Sequence, residues 1–191
     1  LSGGCQVMKN LSIIIVLFIV ATAAFAAVDV QKASGFPSAV SSLAIAPLPC
    51  SGEVNCVKIE KHLNKSVSKH FPAKVVGTDQ VKQVLFDMSV TQPNREAVIE
   101  AARKLGCDAV MLPALLGSEA KDHWNSWNDP DTDQLHQYDA KSVLSSVQVL
   151  ILGVNGELLM NGQASGESYL QTDPTLFAET QIDKILRKAL D

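Results

Sequence analysis

The side chains best suited to binding are concentrated in one polar segment, residues 117–141. This segment holds both tryptophans of the chain, one of its two tyrosines and two of its four histidines. Large aromatic side chains grouped on a polar surface segment are typical anchors of protein–protein contacts. We therefore predict partner binding by Trp124, Trp127, His123 and Tyr138. The alternative is that the two indoles fold back over an open sheet face, since the same burial energetics would favour it.

Three aspartates in the same segment alternate as they do at the start of a calcium-binding loop. These are Asp129, Asp131 and Asp133. An EF-hand loop also needs glycine at its sixth position and glutamate at its twelfth, where this chain has Gln134 and Ala140. The aspartates are therefore weak candidates for a cation site, and we expect neither a metal nor any other cofactor.

Sequence motifs for enzymatic catalysis are missing. His123 and His136 could join carboxylates around zinc, but they stand thirteen residues apart outside any ligand motif. The chain contains no Gly-x-Ser-x-Gly nucleophile motif, no phosphate-binding loop and no His-Glu-x-x-His zinc motif. We therefore expect a protein that is not an enzyme, with a hydrolase as the less favoured alternative.

The composition favours a single globular domain. The 191 residues are 47% hydrophobic and 19% charged, which excludes a disordered chain. The formal net charge of −4 comes without a cluster of lysine and arginine of the kind that supplies affinity for nucleic acid. We therefore expect no nucleic-acid partner.

The N-terminal residues predict export. An apolar segment at residues 11–20 follows Lys9 and precedes Ala24-Phe25-Ala26. A basic start, an apolar core of about ten residues and an Ala-x-Ala exit are the parts of a cleavable secretory signal. We therefore predict a signal peptide over residues 8–26 and a secreted, periplasmic bacterial protein.

Two details of this export signal have alternatives. Cleavage can fall after Ala26 or after Ala27, and residues 1–7 fit an untranslated or misassigned start that precedes Met8. The uncharged residues 10–28 just reach membrane-spanning length, so an uncleaved inner-membrane anchor is the alternative to cleavage. We expect contact with a membrane only in that case.

Export also determines how the cysteines are interpreted. Cys50 and Cys56 flank a short loop, and an oxidising compartment favours a disulfide between them. On the chain-entropy model such a bond stabilises the fold by about 2–3 kcal/mol. Cys107 follows Leu105-Gly106 and precedes Asp108-Ala109-Val110, where a small buried residue is expected, so we expect a core thiol there.

The apolar periodicity predicts an α/β (α+β) fold with about five strands in one mixed sheet flanked by helices. The expected order is roughly βαβααβββα, after a lead-in over residues 27–42. Within a domain over residues 43–191, residues 117–141 are expected to form a long loop. Asn155-Gly156 predicts a type I′ hairpin turn. The expected elements are strands at 43–47, 73–76, 108–116, 145–154 and 157–169, and helices that begin near residues 56, 78, 93 and 173.

Three passages in this order resemble a known family of envelope proteins. They are a helix start at Thr78-Asp79-Gln80, a helix-to-strand passage at Leu105-Gly106-Cys107-Asp108-Ala109, and a hairpin at Asn155-Gly156-Glu157-Leu158-Leu159. The family is the envelope α/β domain of the curli-secretion lipoprotein CsgG, the penicillin-binding-protein activator LpoB, the TolB amino-terminal domain and related surface lipoproteins. The resemblance covers residues 43–190.

The resemblance implies a domain that assists or regulates the assembly of a cell-envelope or secretion machine by binding proteins. It implies envelope proteins as partners and a possible homo-oligomer. This chain departs from the family in having no lipidation cysteine after the signal and no long membrane hairpins of a secretion pore, so the pore function is not carried over. A carbohydrate- or peptidoglycan-binding module that uses Trp124 and Trp127 is the alternative function.

Overall fold

The computed structural model describes residues 27–49, 54–129, 132, 134–169 and 172–190, without the side chains of Asn125, Trp127, His136 and Tyr138. Several predictions lie outside these described residues. They are the start at 1–7, the signal peptide over 8–26, the cysteine Cys50, and the aspartates Asp131 and Asp133. The disulfide between Cys50 and Cys56 therefore stays a prediction.

Over the described residues, six strands form one mixed sheet, and four helices flank it. The strands are β1 (Ala27–Lys32), β2 (Ser42–Ile45), β3 (Lys74–Val76), β4 (Ala109–Asn128), β5 (Leu135–Gly153) and β6 (Leu158–Ser168). The helices are α1 (Cys56–His70), α2 (Thr78–Asp87), α3 (Arg95–Lys104) and α4 (Pro174–Leu190). The predicted α/β fold class is confirmed. None of the helices over the described residues is both long and apolar enough to cross a membrane.

The sheet has the strand order β1-β6-β5-β4-β2-β3. Strand β2 runs parallel to β3 and to β4, whereas the pairs β1–β6, β6–β5 and β5–β4 are antiparallel. The sheet has six strands instead of five because β1 pairs with β6 where a lead-in was expected. The alternation of apolar and polar residues in β1 is short, and Val28 and Val30 are only partly buried against the core. For this reason the sequence of β1 shows only a weak strand pattern.

Helices cover both faces of the sheet. On one face α4 packs on β5 and β6, and α1 packs beside it against α4 and β3. Their shared core includes Leu63, Val67, Ile151, Met160, Ile182 and Ile185. On the other face α2 and α3 pack on β2 and β4, and this smaller core includes Ala44, Val81, Leu85, Val98, Ala102 and Val110. Cys107 belongs to the smaller core as a free, buried thiol, as predicted, and burial raises its pKa.

The hairpin predicted at Asn155-Gly156 joins β5 to β6, but its turn differs from the predicted one. The Gly156 N–H donates to the carbonyl of Gly153 at 2.8 Å, and Gly156 then has a φ of +93°. A type I′ turn requires positive φ at Asn155 as well, and among the residues the structure describes only Ser89 has positive φ without being glycine. The connection is therefore a longer turn in which glycine supplies the left-handed residue.

The long loop predicted over residues 117–141 is wrong for most of its length. Strand β4 continues to Asn128 and β5 begins at Leu135, and the two remain in register to the pair Asn128↔Leu135. Most side chains there are exposed on both faces, so no alternation of apolar and polar residues signals a strand. A register shift between Leu115 and Gly117 is the irregularity in this ladder.

Candidate functional site

The outer end of the β4–β5 hairpin extends beyond its neighbouring strands. On one side β2 pairs with β4 as far as Met111, and on the other side β6 pairs with β5 as far as Val143. Beyond them residues 122–128 and 135–141 pair with each other in seven successive pairs. We call these two stretches the arm. Seven residues of strand extend about 23 Å at the usual rise per residue.

Trp124 lies in the arm opposite Asp139 and is 77% exposed. The alternative in which its indole folds back over the sheet is therefore wrong. Trp127 is paired with His136 and Tyr138 with Asn125, so the register brings these predicted residues into the same arm. Their side chains lie outside the description, and their predicted role in binding stays a prediction.

His123 belongs to a polar cluster at the base of the arm that ties three strands together. Its Nε2 lies 2.7 Å from the Ser142 hydroxyl of β5, which donates to Oε1 of Glu167 in β6 at 2.6 Å. The same Nε2 lies 3.6 Å from Glu167 Oε1, and the rings of His123 and Tyr169 have centroids 5.7 Å apart. We call these four residues the clip, because they join β4, β5 and β6 where the arm begins.

The charge on Glu167 is stabilised by its neighbours in the clip. The hydrogen bond from the Ser142 hydroxyl is the main cause that lowers the pKa of Glu167, with further contributions from the Tyr169 hydroxyl, His123 and Lys121. Burial and then the bond to Glu167 raise the pKa of Tyr169. Glu167 is therefore ionised at neutral pH while Tyr169 keeps its proton, which is the pairing that the hydrogen bonds require.

The contacts of Ser142, His123 and Glu167 do not follow the order of a catalytic triad. In a triad the base contacts the nucleophile through one ring nitrogen and the orienting carboxylate through the other. Here both Ser142 and Glu167 approach the same Nε2, and Ser142 donates directly to the carboxylate. Ser142 is also fully buried, so its oxygen is not placed to attack a substrate. The clip is suited to holding the arm in position.

An open groove of about 650 Å³ begins at the clip. Glu167 belongs to the clip and also lines the groove. The floor of the groove is formed by small residues of three strands, which include Gly117, Ser146 and Ser165. Leu144 adds an apolar side chain and Glu119 a second carboxylate. The groove is therefore a shallow surface of small side chains beside the arm, with two carboxylates among its lining residues.

Metal binding finds little support in the part of the chain that the structure describes. Among those residues no group of three or more His, Cys, Asp or Glu side chains could hold a metal ion. Asp129 accepts a hydrogen bond from the Thr132 hydroxyl at 2.8 Å, while Asp131 and Asp133 lie outside the description. His123 takes part in the clip.

Sequence reasoning identified His123 but missed Ser142, Glu167 and Tyr169. Ser142 is nineteen residues from His123, and Glu167 is another twenty-five residues away. They meet only because β4, β5 and β6 are adjacent and in a particular register. If residues 117–141 are interpreted as strand, the register of the β4–β5 and β5–β6 pairs places these residues next to His123.

Comparison with known proteins shows the fold. No protein-family model matches this chain, and no curated protein matches it. Among solved structures it is similar to the PelC dodecamer from Paraburkholderia phytofirmans, with a TM-score of 0.54 and 12% identity over 86% of this chain and 97% of that chain. The LpoB C-terminal domain from Salmonella enterica matches with a TM-score of 0.45 and 13% identity, over 65% of this chain and 81% of that chain. The chain therefore shares its α/β fold with PelC.

Proposed function

We propose that this chain is a non-catalytic protein-binding domain of the bacterial cell envelope that assists or regulates the assembly of an envelope or secretion machine. In this proposal a signal peptide exports the protein to the periplasm, and the arm contacts the partner. The observation that carries it is Trp124, a large aromatic side chain left 77% exposed on a two-stranded arm.

An exposed indole on a paired strand is suited to binding. Trp is among the residues whose truncation in an interface commonly costs about 2 kcal/mol or more. The strand pairing of the arm fixes the backbone on which Trp124 stands, so little conformational entropy is lost when a partner covers the ring. The clip adds to this by tying the base of the arm to β6.

The comparison with PelC supports an assembling domain. The PelC structure of the same fold is a dodecamer, so this architecture is able to pack against copies of itself. The match spans nearly all of the PelC chain, which means that no large part of that fold is missing here. Envelope-protein partners and homo-oligomers are therefore both included in the proposal.

The test is crosslinking in intact cells, followed by capture of this protein with whatever it contacts. Trp124→Ala should lose a specific envelope protein that the wild type captures. Phe86→Ala is the matched control, because Phe86 on α2 is also 77% exposed but lies away from the arm. Capture that is unchanged in Trp124→Ala, or lost equally in Phe86→Ala, would contradict a binding role for the arm.

Glycan binding is the second candidate, and the same exposed indole favours it because aromatic rings also stack on sugars. Saturable binding of the purified protein to isolated cell-wall glycan, lost in Trp124→Ala and kept in Phe86→Ala, would support this alternative. Protein capture that persists after the glycan is digested would favour the first proposal.

A further inference from the structure

Helix α1 carries a row of positive charge on its solvent side. Its four lysines follow one another at spacings of three and four residues and are all exposed, at positions 58, 61, 65 and 69. The single acid of the helix, Glu60, is buried, where it accepts from the Leu48 N–H at 2.9 Å and pairs with Lys82 at 2.5 Å. Along α1, all of which the structure describes, no carboxylate therefore faces solvent to neutralise the lysines.

Helix α4 lies beside α1 and runs in the same direction. Near the starts of the two helices, the Asn55 N–H donates to Thr175 Oγ1 at 3.0 Å. Further along both helices, Oδ1 of Asp183 lies 2.9 Å from His62 Nε2 and accepts from the Ser66 hydroxyl at 2.6 Å. The two helices therefore present their solvent sides as one surface.

The solvent side of α4 adds two cations to this surface and no free acid. Lys184 and Arg187 are exposed, and no ion pair engages either of them among the described residues. Of the two acids within the helix, Glu179 is buried and Asp183 is held by the two contacts to α1. Asp173 precedes the helix and caps its first turn, at the end remote from Arg187.

We call the exposed cations of the two helices the basic face. Its members are Lys58, Lys61, Lys65, Lys69, Lys184 and Arg187. From Lys58 to Lys69 the row on α1 extends about 17 Å. Lys65, Lys69 and Arg187 also line a groove of about 220 Å³ between the helices. In a chain with a net charge of −4, the basic face is a pronounced local excess of positive charge.

The composition of the basic face does not suit a specific protein contact. The cores of protein interfaces are enriched in aromatic residues, methionine and arginine and depleted in lysine. Here all but one of the cations are lysines, and no phenylalanine, tyrosine or tryptophan of α1 or α4 is exposed. Lysine is a point charge on a flexible stem, which suits a surface whose negative charges are dense and mobile. Anionic phospholipid headgroups form such a surface.

We propose that the basic face binds the surface of a membrane that contains anionic phospholipids. This inference rests on the proposed function in taking the cell envelope as the site of action. Each cation near such a surface is attracted to the headgroup phosphates, and the contributions add up over the face. Because these helices expose no large aromatic side chain to insert among the acyl chains, the contact is electrostatic and peripheral. It needs no membrane-spanning segment.

The basic face and the arm are separate surfaces. Ser118, close to the base of the arm, lies 3.5 Å from the carbonyl of Pro174 in the first turn of α4. Arg187 lies further along α4, by thirteen residues or about 20 Å of helix. The lipid contact and the protein contact can therefore be tested with different variants.

The test measures binding of the purified protein to vesicles by sedimentation. Vesicles of phosphatidylglycerol and phosphatidylcholine are compared with vesicles of phosphatidylcholine alone, and the protein should bind only to the anionic ones. Raising the salt from about 0.05 M to about 0.5 M should weaken this binding about tenfold or more, because exposed charges are screened beyond the Debye length.

Matched charge reversals locate the contact. Lys65→Glu should lower the partition coefficient about fivefold or more, and Lys65→Glu/Lys69→Glu about twentyfold or more. The control Lys104→Glu makes the same change in net charge as Lys65→Glu at an exposed lysine of α3, on the other face of the sheet, and should leave partitioning within about twofold. Trp124→Ala should leave it unchanged as well. Circular dichroism checks that each variant is folded.

Four results would overturn the proposed contact. They are no binding to anionic vesicles, equal binding to neutral vesicles, equal losses in Lys65→Glu and Lys104→Glu, and competition by inorganic phosphate at constant ionic strength. The last result would instead indicate a site for a soluble phosphate group in the groove between α1 and α4. Failure of the lipid contact would leave protein capture through Trp124 unaffected, so the two proposals fail separately.

Discussion

The two halves of the β4–β5 hairpin have the same backbone pairing but opposite surroundings. In the inner half, β5 lies between β4 and β6, and Val147, Val149 and Ile151 are buried in the core beneath helix α4. In the outer half the strands pair with each other alone, and Trp124 and Leu135 are exposed. The change takes place at the clip, where β6 ends and His123, Ser142 and Glu167 meet.

This difference separates the part of the hairpin that stabilises the fold from the part that is available for binding. Backbone hydrogen bonds continue through both halves, so they do not distinguish them. What changes is burial, which is the dominant favourable term in folding. A surface that is paired but not buried is ordered and still accessible, and that is the combination that a docking element needs.

The largest effect is expected from a truncation in the inner half. Ile151 is fully buried in β5, and Ile151→Ala should lower the free energy of unfolding by about 2–5 kcal/mol through lost burial and a cavity. Leu135 begins the same strand and is 61% exposed, so Leu135→Ala should change stability by less than about 0.5 kcal/mol. Urea unfolding of both variants tests the contrast. Equal losses would mean that the two halves of β5 contribute equally to stability.

A smaller loss is expected where α4 crosses the sheet. Gly162 of β6 faces this helix, and a Cβ added there would collide with Cγ2 of Ile185 and come within 3.3 Å of the Met160 methyl. Because Ile185 is branched and fully buried, it has little freedom to move, so Gly162→Ala should destabilise by about 1–3 kcal/mol. Gly117 at the β4 bulge is the control, since a Cβ there meets no atom within 4 Å. Thermal unfolding should show the loss at position 162 alone.

The clip should respond to pH without unfolding the rest of the protein. The folded state lowers the pKa of Glu167, so the stabilisation by its carboxylate is present above the unfolded-state value of about 4.3 and is lost as pH falls through the lower folded value. Ser142→Ala removes the main donor and should raise the pKa of Glu167 toward its ordinary value. An NMR titration of the Glu167 side-chain carboxyl carbon measures this shift. An unchanged midpoint in the variant would show that Ser142 does not hold the charge.

The sequence predicted the inner part of the molecule much better than the arm. The helices that begin at Cys56, Thr78 and Pro174 were found because buried faces impose a periodicity on the residues. The hairpin between β5 and β6 was found from its Asn155-Gly156 dipeptide. The outer parts of β4 and β5 have no buried face, so residues 117–141 were interpreted as a loop. Strand β1 was missed for a related reason, because its two valines are only partly covered.

The candidate site could be predicted only in its residue types. Trp124 and His123 were identified as unusual side chains in a polar segment, and the structure places them on adjacent positions of β4 with different roles. Trp124 is exposed, whereas His123 lies in the clip. The partners of His123 depend on strand register, which a bulge between Leu115 and Gly117 shifts by one residue. Local sequence contains no information on that shift.

The most direct test of the arm as the binding surface is site-specific photo-crosslinking in living cells. A photoreactive amino acid placed at exposed Ser126 in the arm is compared with one placed at Phe86 on α2. The account predicts a discrete adduct with a protein, either another copy of this chain or a second envelope protein, from position 126 and none from position 86. Adducts from position 86 alone, or the same adducts from both positions, would contradict the central claim that the arm carries the contact.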